Sequence, residues 1–142
     1  MSGEKDLKKL MTSLSPHLMD GDFVFYTIQD ATYGDFIELS PLASFCEDEG
    51  LTLIITKENA DKVGLNYESI FKCINLKVHS SLEAVGLTAA VSNKLAEKGI
   101  SANIIAAYYH DHVFVQVEKA EAALSALDEF CRQQIPTDST RG

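Results

Sequence analysis

Two imidazoles and a carboxylate stand together at His110-Asp111-His112. Histidines at i and i+2 of a strand point to one side and can share a metal ion, with His79 as the candidate third ligand. The same residues also suit a tight hairpin turn, where aspartate adopts left-handed conformations and polar side chains face water. The turn is the expectation here, and no resident metal or cofactor is expected.

Other chemistry finds little support. GxSxG, the Walker A loop and HExxH are absent from the sequence. Residues 20–49 hold eight acids (Asp20, Asp22, Asp30, Asp35, Glu38, Glu47, Asp48, Glu49) and no Lys or Arg. They lack the frame of a calcium loop, so they read as solvated loop acids. Cys46, Cys73 and Cys131 are odd in number, widely spaced and without CxxC. They read as small buried hydrophobes in a reducing cytosol.

The most informative stretch is 80–87. Ser80-Ser81-Leu82-Glu83 matches a capping box, with Glu83 reaching back to Ser80. Gly86 conflicts with that reading, because glycine inside a first turn costs stability without serving the cap. It fits better where the backbone turns sharply or stays open to a ligand.

These residues need elements to hold them. Leu7, Leu10, Met11 and Leu14 predict an amphipathic helix over 4–14, stopped at Ser15-Pro16. FVFYTI (23–28) predicts a strand buried on both faces, 51–56 a second strand, and 58–63 a short helix ended by Gly64. Ile74, Leu76 and Val78 alternate with polar residues, as in a strand buried on one face. A helix over 86–98 buries Leu87, Val91 and Leu95 and ends at Gly99, with Lys94 and Lys98 at its negative end. Residues 100–109 and 112–118 form a hairpin about His110-Asp111, and a last helix spans 119–132. A polar tail follows.

Strand, helix, strand, strand, helix over 70–132 implies a right-handed crossover between strands lying side by side. The order is that of a ferredoxin-like sheet with helices on one face. A faint echo links Gly21-Asp22-Phe23-Val24-Phe25 to Asp111-His112-Val113-Phe114-Val115.

Composition bounds the function. The chain has 142 residues, 46% hydrophobic and 23% charged, which is the globular average. At that length about two-thirds of the unfolded surface is buried on folding. A net charge of -9 argues against sequence-independent binding to nucleic acid or anionic lipid. The start, MSGEKDLKKLMTSL, has no apolar h-region, and no apolar run is long enough to span a bilayer. The expected location is the cytoplasm.

Glu83-Ala84-Val85-Gly86-Leu87, a helix ending Leu95-Ala96-Glu97-Lys98-Gly99, and then Ile100-Ser101-Ala102-Asn103-Ile104 resemble the ACT domain, a small βαββαβ regulatory module. Its members often carry Asp-x-x-Gly-Leu before the first helix, where this chain has Glu83 and Gly86. They show Gly-Ile-Asn-Ile entering the second strand, where this chain has Gly99-Ile100-Ser101-Ala102. HSSLEAVGLTAAVS (79–92), GISANIIAAYYHDHVFV (99–115) and EGLTLII (49–55) look like the stand-alone bacterial tandem-ACT proteins related to the cytosolic arginine sensors.

The resemblance covers about residues 20–130. It implies an α+β fold of two ferredoxin-like units in tandem, the first abbreviated and permuted: 1–69, then 70–133, then a polar tail over 134–142. It also offers a reason for the echo between the halves. No closing strand, the sixth element of the second unit, is visible after residue 132, so a strand of the first half or a partner chain must cover that edge.

The resemblance further implies a non-catalytic sensor that binds a small molecule, an amino acid, at Glu83, Ala84, Val85, Gly86 and Leu87, with Asn103, Ile104 and Asp111 near by. Helix-start amides would hold the ligand carboxylate, and Glu83, the Asn103 side chain or a strand-edge carbonyl the ammonium. Asp111 would pair with a cationic ligand side chain. A homodimer is expected, and an unidentified protein target must receive the signal. The rival readings are a ligand-free interaction module and a metal-dependent enzyme built on His110, Asp111 and His112.

Overall fold

A computed structural model describes residues 14–77 and 86–133, apart from the side chains of Phe130, Cys131 and Gln133. The helix expected over 4–14, the capping box at 80–83 and the polar tail lie outside the described residues, as does His79. The chain divides into two compact units. One is residues 20–72, and the other takes the flanking residues up to Met19 and from Cys73 onward.

Strand β1 (His17–Leu18) belongs to the flanking unit. The 20–72 unit holds β2 (Phe23–Ile28), β3 (Ala43–Glu47), β4 (Gly50–Thr56), helix α1 (Lys57–Lys62) and the first two residues of β5 (Phe71–Lys77). Its strands run in the order β3-β4-β2-β5, each neighbour antiparallel. Val24, Leu51, Leu53 and Ile55 alternate onto one face and pack with Leu39 and Ala60. Phe23 is buried too, as a strand apolar on both faces requires. Helix α1 starts at Thr56, whose hydroxyl accepts from the Asn59 amide at 3.1 Å, and stops at Gly64 with φ of 72°.

A ferredoxin-like unit places a helix after its first strand. Here residues 29–42 form a loop with a single 3-10 turn, Ile37–Leu39, so the first unit is abbreviated at its first helix. Leu39 plugs the core in the helix's stead, and Asn59 Nδ2 holds its carbonyl at 3.0 Å. The loop is strained: Asp30, Phe36 and Ser40 all have left-handed φ, at 62°, 64° and 50°.

The flanking unit takes β1, the rest of β5, α2 (Leu87–Glu97), β6 (Asn103–Ala106), β7 (His110–Gln116) and α3 (Ala120–Gln133). β7 lies between β5 and β6, so the strands joined by α2 are not side by side. The hairpin return takes the middle position, as in a split β-α-β arrangement. β1 covers the far edge of β5, antiparallel, with His17 against Asn75 and Leu18 against Ile74. The missing closing strand therefore comes from the first half of the chain. It precedes its unit in sequence, so the permutation falls on the second unit, while the first keeps ordinary order.

The core here is Ile74, Leu76, Val113 and Val115 from the sheet against Leu87, Val91, Leu95, Ala123 and Leu127 from the helices. Lys94 and Lys98 do more than suit a helix end: both reach Glu129 of α3, at 2.9 and 3.3 Å. Helix α2 ends at Gly99, whose φ of 73° is the expected left-handed cap.

Two further expectations need correction. The hairpin turn is at 107–109, not at His110-Asp111, and Tyr108 and Tyr109 sit exposed at its tip. Asp111 pairs with Ala106 inside the ladder. The echo between the halves joins strands that are not equivalent: β2 opens its unit, while β7 is the third strand of its own and matches β4.

Candidate ligand-binding site

Alternation along β7 sorts its side chains. Asp111 shares a face with Val113 and Val115, and therefore with the helices, while His110 and His112 face the other way. The two imidazoles do share a side, as an i, i+2 pair on a strand must. Among the described residues, however, no three His, Cys, Asp or Glu side chains gather closely enough to hold a metal. Burial, and secondarily the charge of His110, holds the His112 imidazole below its ordinary value. His110 Nδ1 is buried without a hydrogen-bond partner among the described residues.

Asp111 is a carboxylate only 6% exposed. Burial pushes its carboxyl up, and the nearby His112 and His110 only partly offset that. No hydrogen bond from another described residue reaches it. Burying a charged carboxylate is costly, and a ligand that brings a donor or a cation would offset that cost.

The start of α2 lies at the same end of the sheet. A strand–helix–strand crossover makes β5 and β6 parallel, and β7, antiparallel to β6, then runs against β5. The end of β5, from which the chain leads to α2, thus adjoins the beginning of β7. Gly86 caps α2 with φ of 94° and offers no side chain to the helix amides, and the first turn carries no acid. The first-turn amides therefore keep their partial positive charge. Leu87 anchors the turn in the core at 4% exposure.

The register separates the other expected residues. Asn103 opposes Phe114, on the sheet face away from the helices and at the far end of the hairpin. Ile104 opposes Val113 and packs against the core. Glu83, Ala84 and Val85 lie outside the described residues. The structure therefore brings Gly86, Leu87 and Asp111 to one end of the sheet and leaves Asn103 and Ile104 apart from them.

A concavity that no sequence motif marks lies elsewhere. In the 20–72 unit a cleft of about 420 Å³ opens beside the 29–42 loop, with Leu51 and Leu53 among its lining. The only sequence signal was negative, since no helical periodicity follows β2.

Two units with the strand order of a ferredoxin-like sheet, one short of a helix, define a tandem of small α+β modules. Sequence profiles of the ACT domain match residues 2–72 and again residues 68–129. The chain belongs to the ACT domain family. A Vibrio cholerae protein, described as of unknown function and a possible transport protein, is 55% identical. The match covers 92% of this chain and 99% of that one, with a TM-score of 0.81.

An Agrobacterium tumefaciens protein shares the fold at 11% identity and a TM-score of 0.64, over 82% of this chain and 87% of that one. The ligand-free regulatory subunit of aspartate kinase from Thermus thermophilus does so at 13% identity and 0.57, over 83% and 98%. No curated protein matches the sequence.

Proposed function

We propose that the chain is a non-catalytic sensor that binds an amino acid through residues 83–87 and Asp111. The buried carboxylate of Asp111, at the sheet end where a glycine-capped helix begins, carries this reading. Helix-start amides would take the ligand's carboxylate, and the small residues Ala84 and Gly86 would let it approach the backbone. Asp111 would take a cationic side chain, as the resemblance to the arginine sensors implies. Asn103 and Ile104, set apart by the register, would bear on the site only through the β6 backbone. A division of the chain near residue 70, with β1 contributing to the second unit, goes with this reading, as do a homodimer and a cytoplasmic setting.

The test is thermal unfolding against the twenty amino acids. A ligand at about a hundred times its Kd adds roughly 2.7 kcal/mol, a shift of several degrees at this size. One responder is expected, and Gly86→Asp should abolish its effect while the protein still folds. Silence across the panel, or an unchanged response in Gly86→Asp, would remove the site.

A further inference from the structure

The 20–72 unit has no helix over its sheet between β2 and β3, and the loop that replaces it leaves the cleft of about 420 Å³ open. Leu51 and Leu53 lie beneath it, with Ile37 and Leu42 beside it and Asp35 and Ser44 also in its lining. β3 borders the cleft and pairs only with β4, so among the described residues one side of its backbone is an open edge. The register sets Ser44 and Cys46 opposite Leu53 and Leu51, on the cleft side. Phe45 and Glu47 occupy the other face, with Phe45 43% exposed. Tyr33 and Ile37 are exposed at 80% and 72%.

Charge singles out this surface further. Residues 20–72 hold eleven carboxylates against three lysines, a balance of -8 out of the chain's -9. Each of those lysines is already ion-paired: Lys57 with Asp61, Lys62 with Glu58, Lys72 with Asp22. No cationic side chain occurs from residue 20 to residue 56. A second copy laid edge to edge would bring two strongly acidic units together.

We propose that β3 and its cleft dock an extended, basic segment of a partner protein. The segment adds to the sheet as a strand beside β3, its apolar side chains turned to the cleft face next to Ser44. Its alternate residues, lysine or arginine, lie against Glu47 and the Phe45 ring on the other face. Docking of this kind goes beyond the ligand site at α2, because a chain that binds no amino acid would still offer the edge.

Cys46 reports on the edge directly. It is exposed on β3, whereas the Cys73 thiol is buried and pushed up to about 12, so it serves as an unreactive control. The probe is a blocked octapeptide of alternating valine and lysine, and the readout is the alkylation rate at Cys46 followed by peptide mapping. Saturating peptide should slow that rate about tenfold, less at high salt, and Phe45→Ala with Glu47→Gln should weaken the protection. A glutamate-for-lysine peptide and a lysine–proline peptide, which cannot pair as a strand, should leave the rate unchanged.

No protection by the valine–lysine peptide would overturn the proposal. So would equal protection by the lysine–proline peptide, which would mean charge attraction without strand addition. Protection that rises with protein concentration alone would make a second copy the occupant.

Discussion

Asp111 is the residue at which local pattern and tertiary environment part. Its neighbours, two histidines and a pair of tyrosines, have the polar look of a turn, yet the strand begins at His110 and carries the carboxylate inward. Burial raises its folded pKa above the unfolded value of 3.8. The folded state then binds the extra proton, so stability is greatest below the unfolded value and declines as pH rises through the window up to the raised one. Asp111→Asn removes that penalty. The variant should melt higher than wild type at neutral pH, with the gap closing as pH falls into the carboxyl range, and should lose the response to a cationic amino acid. Thermal melts across pH with and without the ligand read both effects; a lower Tm at neutral pH would show that Asp111 is already satisfied in the free protein.

Elements depend on a few positions that no other residue type fills. Gly50 opens β4 with φ of 150°, and a Cβ there would strike the Ile28 carbonyl oxygen. Gly50→Ala should therefore cost about 1–3 kcal/mol, measured by denaturant unfolding. The helix pair depends on charge. Glu129 bridges Lys94 and Lys98, and chiefly the hydrogen bond from Lys94 holds its carboxyl below the usual range. A depressed folded pKa contributes stability above the unfolded value and loses it as pH falls through the folded one. Glu129→Gln should lower Tm at neutral pH, where it leaves the buried Lys94 ammonium unpaired, and should match wild type in strong acid. Equal melting at neutral pH would make the bridge a surface contact of no weight.

At the scale of the whole molecule the uneven charge matters most. Carboxylates crowd one unit with every lysine there engaged, so self-repulsion among unpaired acids opposes its compactness. Screening shortens the reach of that repulsion to about 10 Å at 0.1 M salt. Tm should accordingly rise with sodium chloride, and hydrogen exchange should show the gain in residues 20–72 rather than in the flanking unit. A salt-independent or falling Tm would place the weight on ion pairs instead.

Sequence alone determined the element types wherever a period persisted. FVFYTI, the alternation of Ile74 and Leu76, the Leu87–Val91–Leu95 stripe and the Gly99 cap each state a local preference that the fold obeys, because propensity, burial and capping agree there. The resemblance carried by 79–92 and 99–115 reached the family by the same local route. Tertiary structure decided the rest. β1 closes a sheet whose other strands come more than fifty residues later, and β7 enters between β5 and β6; both are long-range pairings that two-residue or seven-residue strands cannot encode locally. The open cleft is of this kind too. An absent helix leaves no pattern in the chain, and only the neighbours it fails to cover, Leu51 and Leu53 beside a free strand edge, show where it is missing.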